Sequence, residues 1–168
     1  GLANRINARF AAVLAISHQQ SEPAAHAVHR RVAVTGNPVR VGLAEGDRDR
    51  GLAHYGFSSH LPMVYVTGGA RGASPINQRV AELIPEIIDH AQVLHQTGPT
   101  SANDDHAALS RATAGWPDHL RARYRLVEFV RDGLADLYAA CEVVIGRKGT
   151  GHRAQACHPA AMRERAVT

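Results

Sequence analysis

The residues best suited to chemistry lie in Val66-Thr-Gly-Gly-Ala-Arg-Gly-Ala73, between an apolar β-branched run and a helical pattern. Glycines at such a junction let backbone N–H groups approach a phosphate at the positive end of the helix. A diphosphate is the natural guest, although tight strand-to-helix turns also use glycine with no ligand. The spacing is not G-x-G-x-x-G, which disfavours a dinucleotide site of the NAD kind. Arg147-Lys-Gly-Thr150 echoes the end of a P-loop, but its lysine precedes the glycine, so that reading fails. Among the 11 histidines, the pairs His26/His29 and His152/His158 lack a third ligand at a diagnostic spacing, and solvated rings are expected rather than a metal site. Residue order alone gives no Ser-His-Asp arrangement. Cys141 and Cys157 have no short-range partner pattern, so neither a disulfide framework nor a four-cysteine zinc site is signalled, and a reducing cytoplasm fits.

The elements that must position this loop follow from hydrophobic periodicity. Pro62-Met-Val-Tyr-Val-Thr67 reads as a buried strand stopped by Gly68-Gly69, and Ile76, Val80, Leu83, Ile84, Ile87 and Ile88 mark an amphipathic helix behind it. Further strands are expected at 92–96, 125–130 and 142–145, with helices over 102–113 and 133–140. Strands alternating with helices imply βαβ crossovers and a mainly parallel sheet. Ahead of them, Leu2, Ile6, Phe10, Val13 and Leu14 predict a helix over 2–17, followed by a polar stretch, a short strand at 32–35, a turn at Gly36-Asn-Pro38 and a polar helix over 46–55. Beyond Gly151 only Met162 and Val167 are larger apolar residues, too little to offset the entropy of ordering. Residues 152–168 are therefore expected to be disordered or non-native, with a short exposed helix as the alternative.

The 168 residues suffice for one ordinary core, and 45% hydrophobic against 20% charged residues is a globular composition. The net charge of +4 and pI near 9.6 suit an anionic partner. All 19 basic residues except Lys148 are arginine, which a GC-rich genome explains more simply. Scattered arginines with 5% aromatic residues argue against a nucleic-acid binder. No apolar run approaches the roughly 20 residues that span a bilayer.

Several segments in one order carry a resemblance. They are Gly1-Leu-Ala-Asn-Arg5, Thr35-Gly-Asn-Pro-Val-Arg40, Gly68-Gly-Ala-Arg-Gly-Ala73 with Asn77, His95-Gln-Thr-Gly98, Glu128-Phe-Val-Arg-Asp132 and Ile145-Gly-Arg-Lys-Gly-Thr150. Together, over residues 1–151, they resemble the family 28 glycosyltransferases of the MurG type. The resemblance implies an α/β fold of the GT-B type, with a Rossmann-like parallel sheet flanked by helices, present here incompletely. Residues 1–31 would end an acceptor domain and its connector, and 32–151 would form the front of a UDP-sugar domain.

The implied activity moves N-acetylglucosamine from UDP-GlcNAc onto a lipid-linked muramyl-peptide, with inversion and with no cofactor. Arg40 falls where the family contacts the nucleotide sugar, and an arginine fork suits phosphate oxygens. Gly69, Ala70 and Gly72 form the phosphate loop. At Ala70 the family usually carries a serine, so one hydrogen bond of about 1 kcal/mol is lost while the backbone donors remain. Val130 stands where an isoleucine packs near uracil, and Thr150 opens a second loop-to-helix element whose continuation is absent, as a frameshift near Gly151 would produce. The general base would belong to the acceptor domain, so no catalytic residue is nominated, and the chain is expected to be inactive alone. The undecaprenyl-linked acceptor and a peripheral position on the cytoplasmic face of the membrane belong to the parent enzyme. Another glycolipid transferase of the same superfamily, or a non-catalytic nucleotide-binding module or remnant, are the alternatives.

Overall fold

The computed structural model describes residues 2–36 and 41–147, and the chain divides into two compact units, 1–40 and 41–168. In the first unit, helix α1 spans Leu2–Ala8, strand β1 Leu14–Ile16, helix α2 Glu22–His26 and strand β2 Val32–Val34. The helix expected over 2–17 thus stops at its midpoint. Residues 14–16 instead pair in parallel with Val32–Val34, and the ladder is extended by Leu14 N–H to the Arg31 carbonyl (2.9 Å) and Thr35 N–H to that of Ile16 (2.9 Å). A short apolar run satisfies either period, and a partner strand decided it. This pairing also puts Val32–Val34 in the first unit, six residues ahead of the break.

The second unit contains helix α3 (Arg48–Tyr55), strand β3 (Met63–Thr67), helix α4 (Ser74–His90), strand β4 (Gln92–Gln96), helices α5 (Asp105–Thr113) and α6 (Asp118–Arg121), strand β5 (Tyr124–Val127), helix α7 (Leu134–Ala140) and strand β6 (Val143–Gly146). The four strands form one parallel sheet in the order β5-β4-β3-β6, with Tyr65 opposite both Leu94 and Val144. Period-two alternation sends the side chains of β3 to opposite faces. Met63 and Tyr65 join Leu52, Leu94, Leu137 and Tyr138 under α3 and α7. Val66 joins Val80, Ile84, Ile88, Val93 and Tyr124 under α4. Helices on both faces explain why β3 reads as a near-continuous apolar run and why all five residues of β4 are buried.

Boundaries moved where side chains competed with the backbone. Helix α5 begins at Asp105 rather than 102, because Asn103 Oδ1 accepts the Asp105 N–H (3.0 Å) and holds a turn there. Strand β5 ends at Val127, since the Val130 N–H turns to the Gln96 side chain instead of a strand partner. Helix α3 starts at Arg48 because Asp47 caps it, accepting from Arg50 N–H at 2.8 Å. The Asp47 N–H in turn bonds Asp136 Oδ1 (2.7 Å), and Arg50 grips the same carboxylate with two N–H bonds of 2.7 and 3.0 Å. The Arg50 hydrogen bond, then the Asp47 amide, holds Asp136 down to about 2, so the α3–α7 clasp stays charged at any ordinary pH. Among the described residues no helix is long and apolar enough to cross a membrane. The tail 152–168 lies outside the described residues.

Ile84 is 1% exposed at the centre of the α4 face. Ile84→Ala should lower the unfolding free energy in urea by about 2–5 kcal/mol, the usual range for emptying a core site.

Candidate functional site

Strand order locates the site before any side chain is considered. The chain runs from β3 outward through β4 to β5, then returns to lay β6 on the other side of β3. In open parallel sheets, ligands bind beyond the carboxyl ends of the strands at such a reversal. Here that point is the end of β3, where Thr67 stands opposite Gly146. The glycine loop 68–73 leaves from it.

The loop is built by close packing. Gly72 has φ +73°, and a Cβ there would lie 2.0 Å from the Thr97 carbonyl oxygen. Gly69 has φ +87° and open space where its Cβ would be. The Gly69 N–H donates to Thr67 Oγ1 (3.1 Å), while its carbonyl accepts from the Gly72 N–H (3.1 Å) and from Gln96 Nε2 (3.0 Å). Ala70 and Arg71 at the tip are exposed. The 17-residue α4 begins behind the loop with Ala73 as its N-cap and no side-chain cap. Among the described residues, the N–H groups of Ala70, Arg71, Ala73 and Ser74 meet no acceptor. Unpaired donors at the positive end of a long helix form an anion cradle.

Behind the cradle is a buried polar layer. Asn77, in the first turn of α4, donates to the Thr97 carbonyl (2.9 Å) and to Asp105 Oδ2 (2.8 Å), which leaves its Oδ1 as an acceptor. His95 Nε2 must therefore donate to it (3.1 Å), and His95 Nδ1 lies 2.9 Å from the Tyr124 hydroxyl. A neutral imidazole with its proton on Nε2 and Nδ1 accepting from Tyr124 satisfies both partners. Burial, outweighing the upward pull of the Asp105 carboxylate, pushes His95 down to about 4. Gln96, also buried, bonds Tyr65, Thr67, Gly69 and Val130.

Of the residues expected at a site, Gly69, Ala70 and Gly72 form the loop, and Val130 is joined to it through Gln96. Val130 is 9% exposed and packs beside Leu94 and Leu137, so its side chain is core while its N–H serves the polar layer. Arg40 and Thr150 lie outside the described residues. Sequence reasoning passed over Gln96, His95 and Tyr124 as site-builders; the available signal was a pair of polar residues closing β4 directly before Thr97-Gly98. His29 is used structurally, its Nε2 donating to the Ala11 carbonyl (3.0 Å), and His26 lies 3.8 Å from Glu22. A cavity of about 330 Å³ beside Trp116, Arg121, Tyr124 and Arg125 opens at the start of β5, the far end of the sheet. Arg125 there is occupied by the carbonyls of Tyr55, Arg121 and Tyr124, so the glycine loop is the better anion site.

Sheet order, loop and helix together define a Rossmann-like α/β domain whose strand order reverses at the end of β3. Residues 63–159 match the glycosyltransferase family 28 C-terminal domain, and the chain belongs to that family. It is 35% identical over 150 residues to UDP-N-acetylglucosamine--N-acetylmuramyl-(pentapeptide) pyrophosphoryl-undecaprenol N-acetylglucosamine transferase 2 of Bacillus cereus, covering 89% of this chain and 39% of the relative. The transferase of the same description from Treponema denticola is 29% identical over 150 residues, covering 89% and 38%. The chain thus spans about two fifths of the length of these curated relatives. The crystal structure of Acinetobacter baumannii MurG superposes with a TM-score of 0.56 at 17% identity, covering 90% of this chain and 46% of that one, a likeness of fold that supports the GT-B type.

Below pH 6.5 an unfolded His95 takes up a proton that the folded chain refuses until about 4, so stability should fall as pH drops through that window, by up to about 3 kcal/mol. Urea midpoints from pH 7 to 4 measure this, and the slope should flatten in His95→Gln.

Proposed function

We propose that the chain is the donor half of a transferase that moves N-acetylglucosamine from UDP-GlcNAc to a lipid-linked muramyl-pentapeptide, the step its curated relatives are named for. The observation that carries the donor half is the uncapped start of α4 behind the glycine loop, where the N–H groups of Ala70, Arg71, Ala73 and Ser74 meet no acceptor among the described residues. In the reaction the acceptor hydroxyl attacks the anomeric carbon and uridine diphosphate departs with the bonding pair. The amides of Ala70, Arg71, Ala73 and Ser74 stabilise the negative charge that grows on the leaving diphosphate, since they are oriented before the bond breaks. By likeness to the family Arg40 is assigned to the phosphates, whose oxygens suit a guanidinium fork. Gly69 and Gly72 keep the loop thin enough for approach, Val130 supports the uracil side from the core beneath it, and by likeness to the family Thr150 is assigned to the donor site.

Deprotonation of the acceptor falls to a base on the acceptor domain. The activity therefore requires both halves, and this chain alone binds donor without turning it over. The lipid-linked acceptor puts the whole enzyme at the cytoplasmic face of the membrane as a peripheral protein.

Calorimetric titration of the purified chain should give uridine diphosphate binding in preference to adenosine diphosphate, weakened about tenfold or more in Arg40→Ala by loss of a charged hydrogen bond. A folded chain that binds neither nucleotide would overturn the reading. Ala70→Ser supplies one more hydroxyl donor at the loop tip and should tighten uridine diphosphate by about fivefold, the equivalent of one ordinary hydrogen bond.

A further inference from the structure

Gln96 closes β4 at the carboxyl edge of the sheet and is 3% exposed. Its Oε1 accepts from the Tyr65 hydroxyl (3.0 Å) and the Val130 N–H (3.0 Å), and its Nε2 donates to Thr67 Oγ1 (3.1 Å) and the Gly69 carbonyl (3.0 Å). Only one orientation of the amide satisfies all four partners; turned over, it would set a donor against the Val130 N–H and an acceptor against the Gly69 carbonyl. Two of the partners sit in different loops at the same end of the sheet. Gly69 belongs to the loop after β3, and Val130 to the segment between β5 and α7. Val130 N–H has left the β5 ladder to reach this amide, and Gly69 is gripped on both sides, its N–H by Thr67 and its carbonyl by Gln96.

We propose that Gln96 is a positioning residue that makes the 68–73 loop and the 128–133 loop a single unit, so that an anion captured by the first is registered at Val130 in the second. The functional half of this rests on the diphosphate reading of the loop. An anion drawn to the Ala70 and Arg71 amides pulls on the Gly69 peptide, whose carbonyl is held by Gln96 Nε2. The same planar amide presents Oε1 to Val130, so a rotation of one end is a displacement of the other. The surrounding core, with Leu94 and Tyr65 buried at 0% and 3% exposure, leaves the side chain no second position that keeps its partners. A ligand with a charged end and a second recognition element at the β5–α7 loop is thereby read as one object.

The test uses amide-resolved NMR of the whole chain. Gln96→Glu keeps an acceptor for Val130 but sets a second oxygen against the Gly69 carbonyl, breaking one link directly. In the ligand-free protein the Gly69–Gly72 amides should shift and the Val130 amide should exchange about tenfold faster, while Val80 and Leu94 stay within about twofold of wild type. Thr67→Val, which removes the hydroxyl shared by Gly69 and Gln96, should act in the same direction and decides the matter if Gln96→Glu does not fold. Disturbance of Gly69–Gly72 with Val130 unchanged, or equal loss of protection at all these amides in Thr67→Val, overturns the coupling. Inorganic pyrophosphate added to wild type should move Ala70–Ser74 and slow Val130 exchange, and Gln96→Glu should lose the second response. If pyrophosphate moves none of 69–74 in wild type, the diphosphate reading fails, while the ligand-free comparison still decides the role of Gln96.

Discussion

Strand β3 is hydrogen-bonded along both edges, to β4 through all five of its residues and to β6 through four, and it feeds side chains to both cores. Its backbone therefore has no free direction in which to move, and the chain leaving at Thr67 departs from a fixed point at the middle of the sheet edge. The tight loop, the start of α4 and the polar layer below them are all referred to that point. A loop leaving an edge strand would have a neighbour on one side only. Here Gln96 at the end of β4 and Thr97 just beyond it form a wall, and β6 ends level with Thr67 on the other flank.

Placing polar side chains in a dry sheet carries a desolvation cost that only complete pairing offsets. Strand β4 meets this at three positions. Gln92 bonds Ser58 N–H (2.9 Å) with its oxygen and the carbonyls of Ser58 and Leu61 (2.6 and 3.0 Å) with its nitrogen. His95 and Gln96 are paired at the other end. The first fastens the approach to β3, and the other two fasten the helix and loops that follow. One strand thus carries both the apolar surface that makes the core and the polar groups that orient what lies around it. Cys141, by contrast, is buried with its thiol pushed up by desolvation and takes no part in this pairing.

The sheet was legible because β3 is apolar on both faces and stops at Gly68-Gly69, and because Val93-Leu94 and the Thr97-Gly98-Pro99 stop mark β4 after a helical pattern. Helix α4 was legible because Val80, Ile84 and Ile88 repeat at one-turn spacing above it. The first unit misled for the opposite reason: Leu2 to Leu14 keeps helical spacing through a break, and nothing local reveals that Leu14–Ile16 has a partner at Val32–Val34. Helix α6 was missed as a single turn behind Trp116-Pro117. The glycine loop could be read from residue type alone, since Gly72 faces a carbonyl that leaves no room for a Cβ. Gln96, His95 and Tyr124 could not, because what they do depends on which strands are neighbours, and neighbour order is not written in any one segment.

The strand order also sets a timetable. Met63 and Glu142 meet where β6 begins, the Glu142 N–H donating to the Met63 carbonyl and the Met63 N–H to the Glu142 carboxylate, and they are 79 residues apart in the chain. During synthesis at roughly 5–20 residues per second, β3 would wait on the order of ten seconds from its own emergence for β6 to cover its second edge. An apolar strand open for that long is a surface for nascent chains to adhere to, and the protein's passage from ribosome to folded state rests on how well that edge is shielded until its last strand arrives.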